Sequence, residues 1–99
     1  MSQPKVLVHP THAFLRAVDA LAEEVGESAE GILLELAHAL EQLEKEGWGS
    51  SLPIEQVGGD IFRFDFHPEF TFEYRRETER DAVKQPVRVH LYLMTLLRR

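Results

Sequence analysis

Two short runs of the chain alternate strictly. Phe62, Phe64 and Phe66 point one way, while Ile61, Arg63 and Asp65 point the other. Phe70, Phe72 and Tyr74 oppose Thr71, Glu73 and Arg75. Period-two alternation predicts half-buried strands with an aromatic face in the core. His67, Pro68 and Glu69 supply the turn between them. A third strand is expected near the end, where Val87, Val89, Leu91 and Leu93 face one side and Arg88, His90, Tyr92 and Met94 the other. "KVLV", Lys5 to Val8, is a β-rich run that stops at Pro10. Both of its faces are apolar, which predicts a central or protected strand.

Two stretches change period. Phe14, Leu15, Val18, Leu21, Ala22 and Val25 recur at helical spacing, with Thr11 placed to cap the start and Gly26 the end. Ile32, Leu33, Leu36, Ala37, Leu40 and Leu43 form a second stripe, with Ser28 as its cap and Gly47 as its stop. Gly31 weakens the start of that helix by about 1 kcal/mol relative to Ala. The short link between the stripes predicts an antiparallel helical hairpin. "GWGSSLPIEQVGG" reads as a loop by composition, with Trp48 plugging the core edge. "RRETERDAVKQP" reads as a longer polar turn. The expected fold is one α+β domain over residues 1–99, in the order β-α-α-β-β-β. The helical hairpin packs on one face of a mainly antiparallel four-stranded sheet. The strands are Val6–Val8, Ile61–Phe66, Phe70–Arg75 and Val87–Leu96.

Composition narrows the chemistry. The 99 residues suffice for one core, and 43% hydrophobic with 28% charged content is that of an ordinary globular domain. Cysteine is absent, which excludes disulfides, thiolate catalysis and Cys-ligated zinc. No apolar run is long enough to span a membrane as a helix. The start "MSQPKVLVHP" lacks a basic segment followed by an apolar one, so the expected location is cytoplasmic. The net charge of -6 sits wholly in residues 1–50, where Glu23, Glu24, Glu30, Glu35, Glu41 and Glu44 line the outer helix faces. Residues 51–99 balance to zero, and from Lys84 onward only basic groups occur. A general nucleic-acid binder would carry a basic excess, but local phosphate contact by the tail stays open.

The face opposite the aromatics gathers Arg63, Asp65, Thr71, Glu73, Arg75, Arg88, His90 and Tyr92. Its plain reading is a solvated ladder in which Arg63, Glu73 and Arg88 pair across strands, each pair worth about 0.2–1 kcal/mol. Other histidines give less. His9 and His12 have HxxH spacing, but Pro10 breaks the helix that would align them and no carboxylate completes a set. No metal or cofactor is expected. His38 reads as a boundary residue and His67 as part of a turn.

Four segments in this order resemble the RelE/ParE toxin superfamily, especially its HigB-like branch, over nearly the whole chain. They are "VHPTHAFLRAVDAL", "ALEQLEKEG" leading into "QVGGDIFRFDF", "FTFEYRR", and "VRVHLYLMTLLRR". Members mostly cleave mRNA in the ribosome, or bind DNA gyrase without being nucleases, and a partner antitoxin neutralises each. By position, Arg63 matches the second-strand arginine and Tyr74 the tyrosine closing the third-strand motif. That motif's arginine falls on Thr71. The resemblance implies a metal-independent mRNA endonuclease. A base would take the ribose 2′-hydroxyl proton, cations would hold the phosphate, and an acid would protonate the leaving oxygen. Glu73 or His90 would be the base, Arg63, Arg75 and Arg88 the clamp, and His90 or Tyr92 the acid. Arg75, Arg98 and Arg99 would bind RNA phosphate. The alternative is a non-catalytic relative that inhibits or scaffolds by protein contact. The implied partners are an antitoxin or other protein, the ribosome with mRNA, and no membrane; a homodimer stays open.

Overall fold

The computed structural model describes residues 4–26, 29–46 and 52–99, with Glu46 in its backbone alone. The order is β1 (Lys5–Pro10), α1 (His12–Val25), α2 (Ala29–Glu46), β2 (Ile54–Gly58), β3 (Ile61–Phe64), β4 (Phe70–Arg80) and β5 (Pro86–Arg98). Ser28, Gly47 and Trp48 lie outside the described residues.

The class is α+β, but the expected four-stranded sheet is wrong. The sheet has five strands in the order β1-β5-β4-β3-β2 and is mixed. β1 runs parallel to β5, and every other pair is antiparallel. The added strand, β2, lies inside the segment read as loop. The glycines, serines and proline of that segment carry little strand propensity, and the pairing of β2 with β3 decides the outcome. β1 is at an edge, not central. Its apolar inner residues, Val6 and Val8, pack on the helix side of the core. β4 continues to Arg80, past the expected end at Arg75, so the polar turn shrinks. Asp81 holds it, its carboxylate accepting the backbone N–H of Val83 at 3.0 Å and of Gln85 at 2.9 Å.

The helix signals act locally as expected. The Thr11 hydroxyl accepts the Phe14 N–H at 3.2 Å and donates to the Leu93 carbonyl at 2.6 Å. One residue therefore caps α1 and ties its start to β5. Gly26 takes φ 58° at the end of α1, where its N–H bonds the Ala22 carbonyl. Both helices pack on the aromatic face. Phe72, Leu43, Val89, Leu91 and Leu93 keep no accessible surface, and Phe14 meets Phe72 edge to face at 6.1 Å.

The register of β5 against β4 shifts twice, first at Val87, which lies between the partners of Arg80 and Glu79 and is exposed although its spacing predicts the core side. At the second shift Tyr74 pairs with Leu93 but Glu73 pairs with Thr95, so Met94 is the extra residue of a β-bulge. Val89, Leu91 and Leu93 face the core before the bulge, and Leu96 does so after it. Without the bulge Thr95 would enter the core. With it, Thr95 and Leu97 join Arg88, His90 and Tyr92 on the opposite face.

Candidate functional site

The face away from the helices is open. Parallel pairing aligns Lys5, Leu7 and His9 of β1 with Arg88, His90 and Tyr92 of β5. Antiparallel pairing brings Glu79, Glu77 and Arg75 of β4 against the same three β5 residues from the other side. The result is a cluster from three strands.

His9 and His90 meet through ring nitrogens, Nε2 to Nδ1, at 3.0 Å. Their planes differ by 20° and their centroids are 5.2 Å apart, about the nitrogen contact plus one ring radius at each end. The rings therefore meet edge to edge. His90 Nε2 lies 3.2 Å from Glu79 Oε2, and Arg88 donates to Glu79 Oε1 at 2.8 Å. Glu79 is held below the ordinary carboxylate value by the hydrogen bond from His90 and by the charge and hydrogen bond of Arg88. An ionised Glu79 can only accept, so His90 donates through Nε2. When His90 is neutral, its Nδ1 accepts and His9 donates through Nε2. The tautomer of His9 follows: its lone pair is on Nδ1, the nitrogen that faces away from His90. Tyr92 lies 5.0 Å from His9 with planes 23° apart, and the Arg75 guanidinium sits 4.7 Å from the Tyr92 ring centre.

The other expected site residues divide. Arg75, Arg88, His90 and Tyr92 come together in this cluster. Arg63 and Glu73 form a separate pair farther along the sheet, Nη2 to Oε2 at 3.5 Å. Arg88 does not join that ladder, because its partner is Glu79. Arg99 reaches Asp65 at 3.6 Å, beside a cavity of about 560 Å³ lined also by Arg63 and Thr71. Arg98 turns to the helix side of the sheet, pairing with Glu24 of α1 and lying over Phe70. The bulge at Met94 is the cause, since it moves Arg98 to the covered side. Thr71 is buried, its hydroxyl donating to the Phe64 carbonyl at 2.8 Å, and Tyr74 is core. Burial pushes the Tyr74 hydroxyl up to about 12.

His9 and Glu79, like Lys5, Leu7 and Glu77, are members of the cluster that sequence reasoning did not place there. Period two from Lys5 puts His9 on the polar side, but its neighbour depends on β1 pairing in parallel with the last strand. Glu79 lay in the segment read as a turn. Among the described residues no group of three or more His, Cys, Asp or Glu is placed to hold a metal ion. No described helix is long and apolar enough to cross a membrane. No protein-family model matches the chain, and no curated protein matches it.

Proposed function

We propose that the chain is a toxin-like RNA-cleaving protein, resembling the ribosome-dependent mRNA endonucleases, whose base is the His9–His90–Glu79 chain. The observation that carries this reading is the chain of contacts from His9 through His90 to Glu79 at an open face, which leaves a lone pair on His9 Nδ1 when His90 is neutral. His9 Nδ1 takes the proton of a ribose 2′-hydroxyl, and the 2′-oxygen attacks the adjacent phosphorus. The bond from phosphorus to the 5′-oxygen breaks, leaving a 2′,3′-cyclic phosphate. The Tyr92 hydroxyl supplies the proton that the 5′-oxygen needs. His90 and Glu79 stabilise the imidazolium that forms on His9, and Arg75 with Arg88 faces the phosphate charge. Its partners are the ribosome with mRNA and an antitoxin that covers the site.

A second reading, contact with a protein and no catalysis, is favoured by the ion pairs. Arg63, Arg75, Arg88 and Arg99 each have a carboxylate partner, so phosphate must compete for them. Induction in cells and primer extension on a reporter mRNA in a translation extract separate the two. Growth arrest with cuts that vanish in His9→Ala and in His90→Ala, both folded, is the result expected. Wild-type protein that neither cuts nor slows translation makes protein contact the better account.

A further inference from the structure

The contact between His9 and His90 has a second use. Two imidazole nitrogens on adjacent strands face one another at 3.0 Å. One of the two rings already donates its far N–H to a carboxylate, Glu79. That arrangement is the outer-shell pattern of metal-binding histidines, where the carboxylate fixes ring orientation and raises basicity. Nitrogens bound about 2.0–2.1 Å from one ion lie roughly 3 Å apart when they occupy neighbouring corners of a square or octahedral shell. The observed spacing therefore suits such an ion after each ring tilts to aim its lone pair. Around the pair, Glu77 and Glu79 offset two of the three cations Lys5, Arg75 and Arg88, which limits the repulsion of a metal cation.

We propose that His9 and His90 form a two-histidine site for a divalent transition-metal ion such as Ni²⁺, Cu²⁺ or Zn²⁺, with Glu79 as the orienting carboxylate and water filling the remaining positions. Imidazole nitrogen selects these ions over Mg²⁺ and Ca²⁺, which prefer oxygen. With only two protein ligands the site binds less tightly than a structural zinc site. The partner of His9 is not His12, which is nearby in sequence; it is a residue 81 positions away, brought alongside by parallel pairing.

Occupancy has a consequence for the chemistry proposed above, and that part rests on the relay reading. Metal on His9 Nε2 requires that nitrogen to give up its proton. The proton moves to Nδ1 of the same ring, so the outward lone pair disappears. No net proton is released, and the metal switches the base off.

The probe is Ni²⁺, with Mg²⁺ as control, titrated calorimetrically into the full chain near neutral pH. One equivalent is expected to bind, with affinity reduced at least tenfold in His9→Ala and in His90→Ala. Glu79→Gln is expected to lose roughly tenfold, the usual scale for an outer-shell partner. Paramagnetic broadening by Ni²⁺ of wild-type imidazole NMR signals should be confined to His9 and His90, which decides the site even if a variant misfolds. The proposal is overturned by the absence of Ni²⁺ binding, by affinity that survives either histidine substitution in a folded variant, or by broadening centred on His12, His38 or His67. In the cleavage assay Ni²⁺ should suppress cutting at least tenfold and a chelator restore it. A wild-type protein that never cuts would sink the relay as a base, and the binding measurement alone would then decide the metal site.

Discussion

The two faces of the sheet come from the same alternating strands, yet they hold together by different rules. On the covered face, Phe62, Phe64, Phe72, Tyr74, Val89, Leu91 and Leu93 share one core with Phe14 and Leu36 of the helices. Apolar contact is not directional, so nearly any neighbour of suitable volume serves. On the open face each group depends on a named partner: His9 on His90, His90 on Glu79, Arg88 on Glu79, Arg63 on Glu73. Ionic and hydrogen-bonding partners must be within reach and correctly aimed. A face built on burial tolerates changes of neighbour that a face built on pairs does not.

That contrast predicts a large difference in energetic weight. Phe72→Ala removes a side chain with no exposed surface and should cost about 3–5 kcal/mol in chemical denaturation. Leu36→Ala, from the α2 side of the same core, should cost about 2–5 kcal/mol. A loss under about 1 kcal/mol for either would mean that the helices do not carry the covered face.

The same burial has a pH signature at Tyr74. The unfolded chain ionises this tyrosine near 10, whereas the folded chain keeps it neutral up to about 12. Its contribution is complete below pH 10 and is lost as pH rises through the window from 10 to about 12. The loss is roughly 2–3 kcal/mol, from about 1.4 kcal/mol per unit of separation. Denaturation across that range, in a Tyr92→Phe background that leaves Tyr74 as the single tyrosine, should show the fall. Stability unchanged from pH 10 to 12 would place the Tyr74 hydroxyl in solvent.

How much of this was legible in the sequence follows the same division. The aromatic stripe, the helical stripes, the Thr11 cap and the Gly26 stop were read from spacing, because each depends on residues close in the chain. Alternation settles which side a residue takes, so most of the polar face was assigned correctly, although Thr71 is buried and Val87, read as core, is exposed. The pairings of that face were not. Strand order and the parallel direction of β1 decide that His9 meets His90, and neither is written in any local pattern. Arg98 was lost to the face for a similar reason. One extra residue, Met94, reverses the alternation, and a methionine in a strand carries no turn or glycine signal.

Met94 gives a test of intermediate size. Deleting one residue from a strand ordinarily turns every later side chain to the wrong face. Deleting Met94 should do the opposite. Leu93, Thr95 and Leu96 would then alternate regularly, with Leu96 still in the core and Thr95 still outside. The fold is expected to survive at a cost below about 2 kcal/mol. Deleting Tyr92 instead should be more damaging, because closing the bulge then puts Leu93 at the outward place of Tyr92 and Met94 at the core place of Leu93. Equal damage from the two deletions would show that the bulge is needed for more than register, for instance for the local twist.

The smallest effect is expected at a pair that the sequence offered both as a solvated ladder and as a clamp with its base. Arg63 and Glu73 face each other directly across β3 and β4, but at 3.5 Å and with 39% of the Arg63 side chain exposed. Such a pair competes with water and is worth at most about 1 kcal/mol. One atom of it is a burden: Arg63 Nε is buried with no hydrogen-bond partner among the described residues, which costs stability instead of adding it. Glu73→Gln should therefore lower stability by less than about 1 kcal/mol. Arg63→Met should be neutral or slightly stabilising, because the apolar stem is kept and the unpaired N–H removed. Urea denaturation of both variants measures this. A loss above about 2 kcal/mol for Glu73→Gln would mean that the open face is held by a cooperative polar network, and the contrast between the two faces would then be one of chemistry and not of energetic weight.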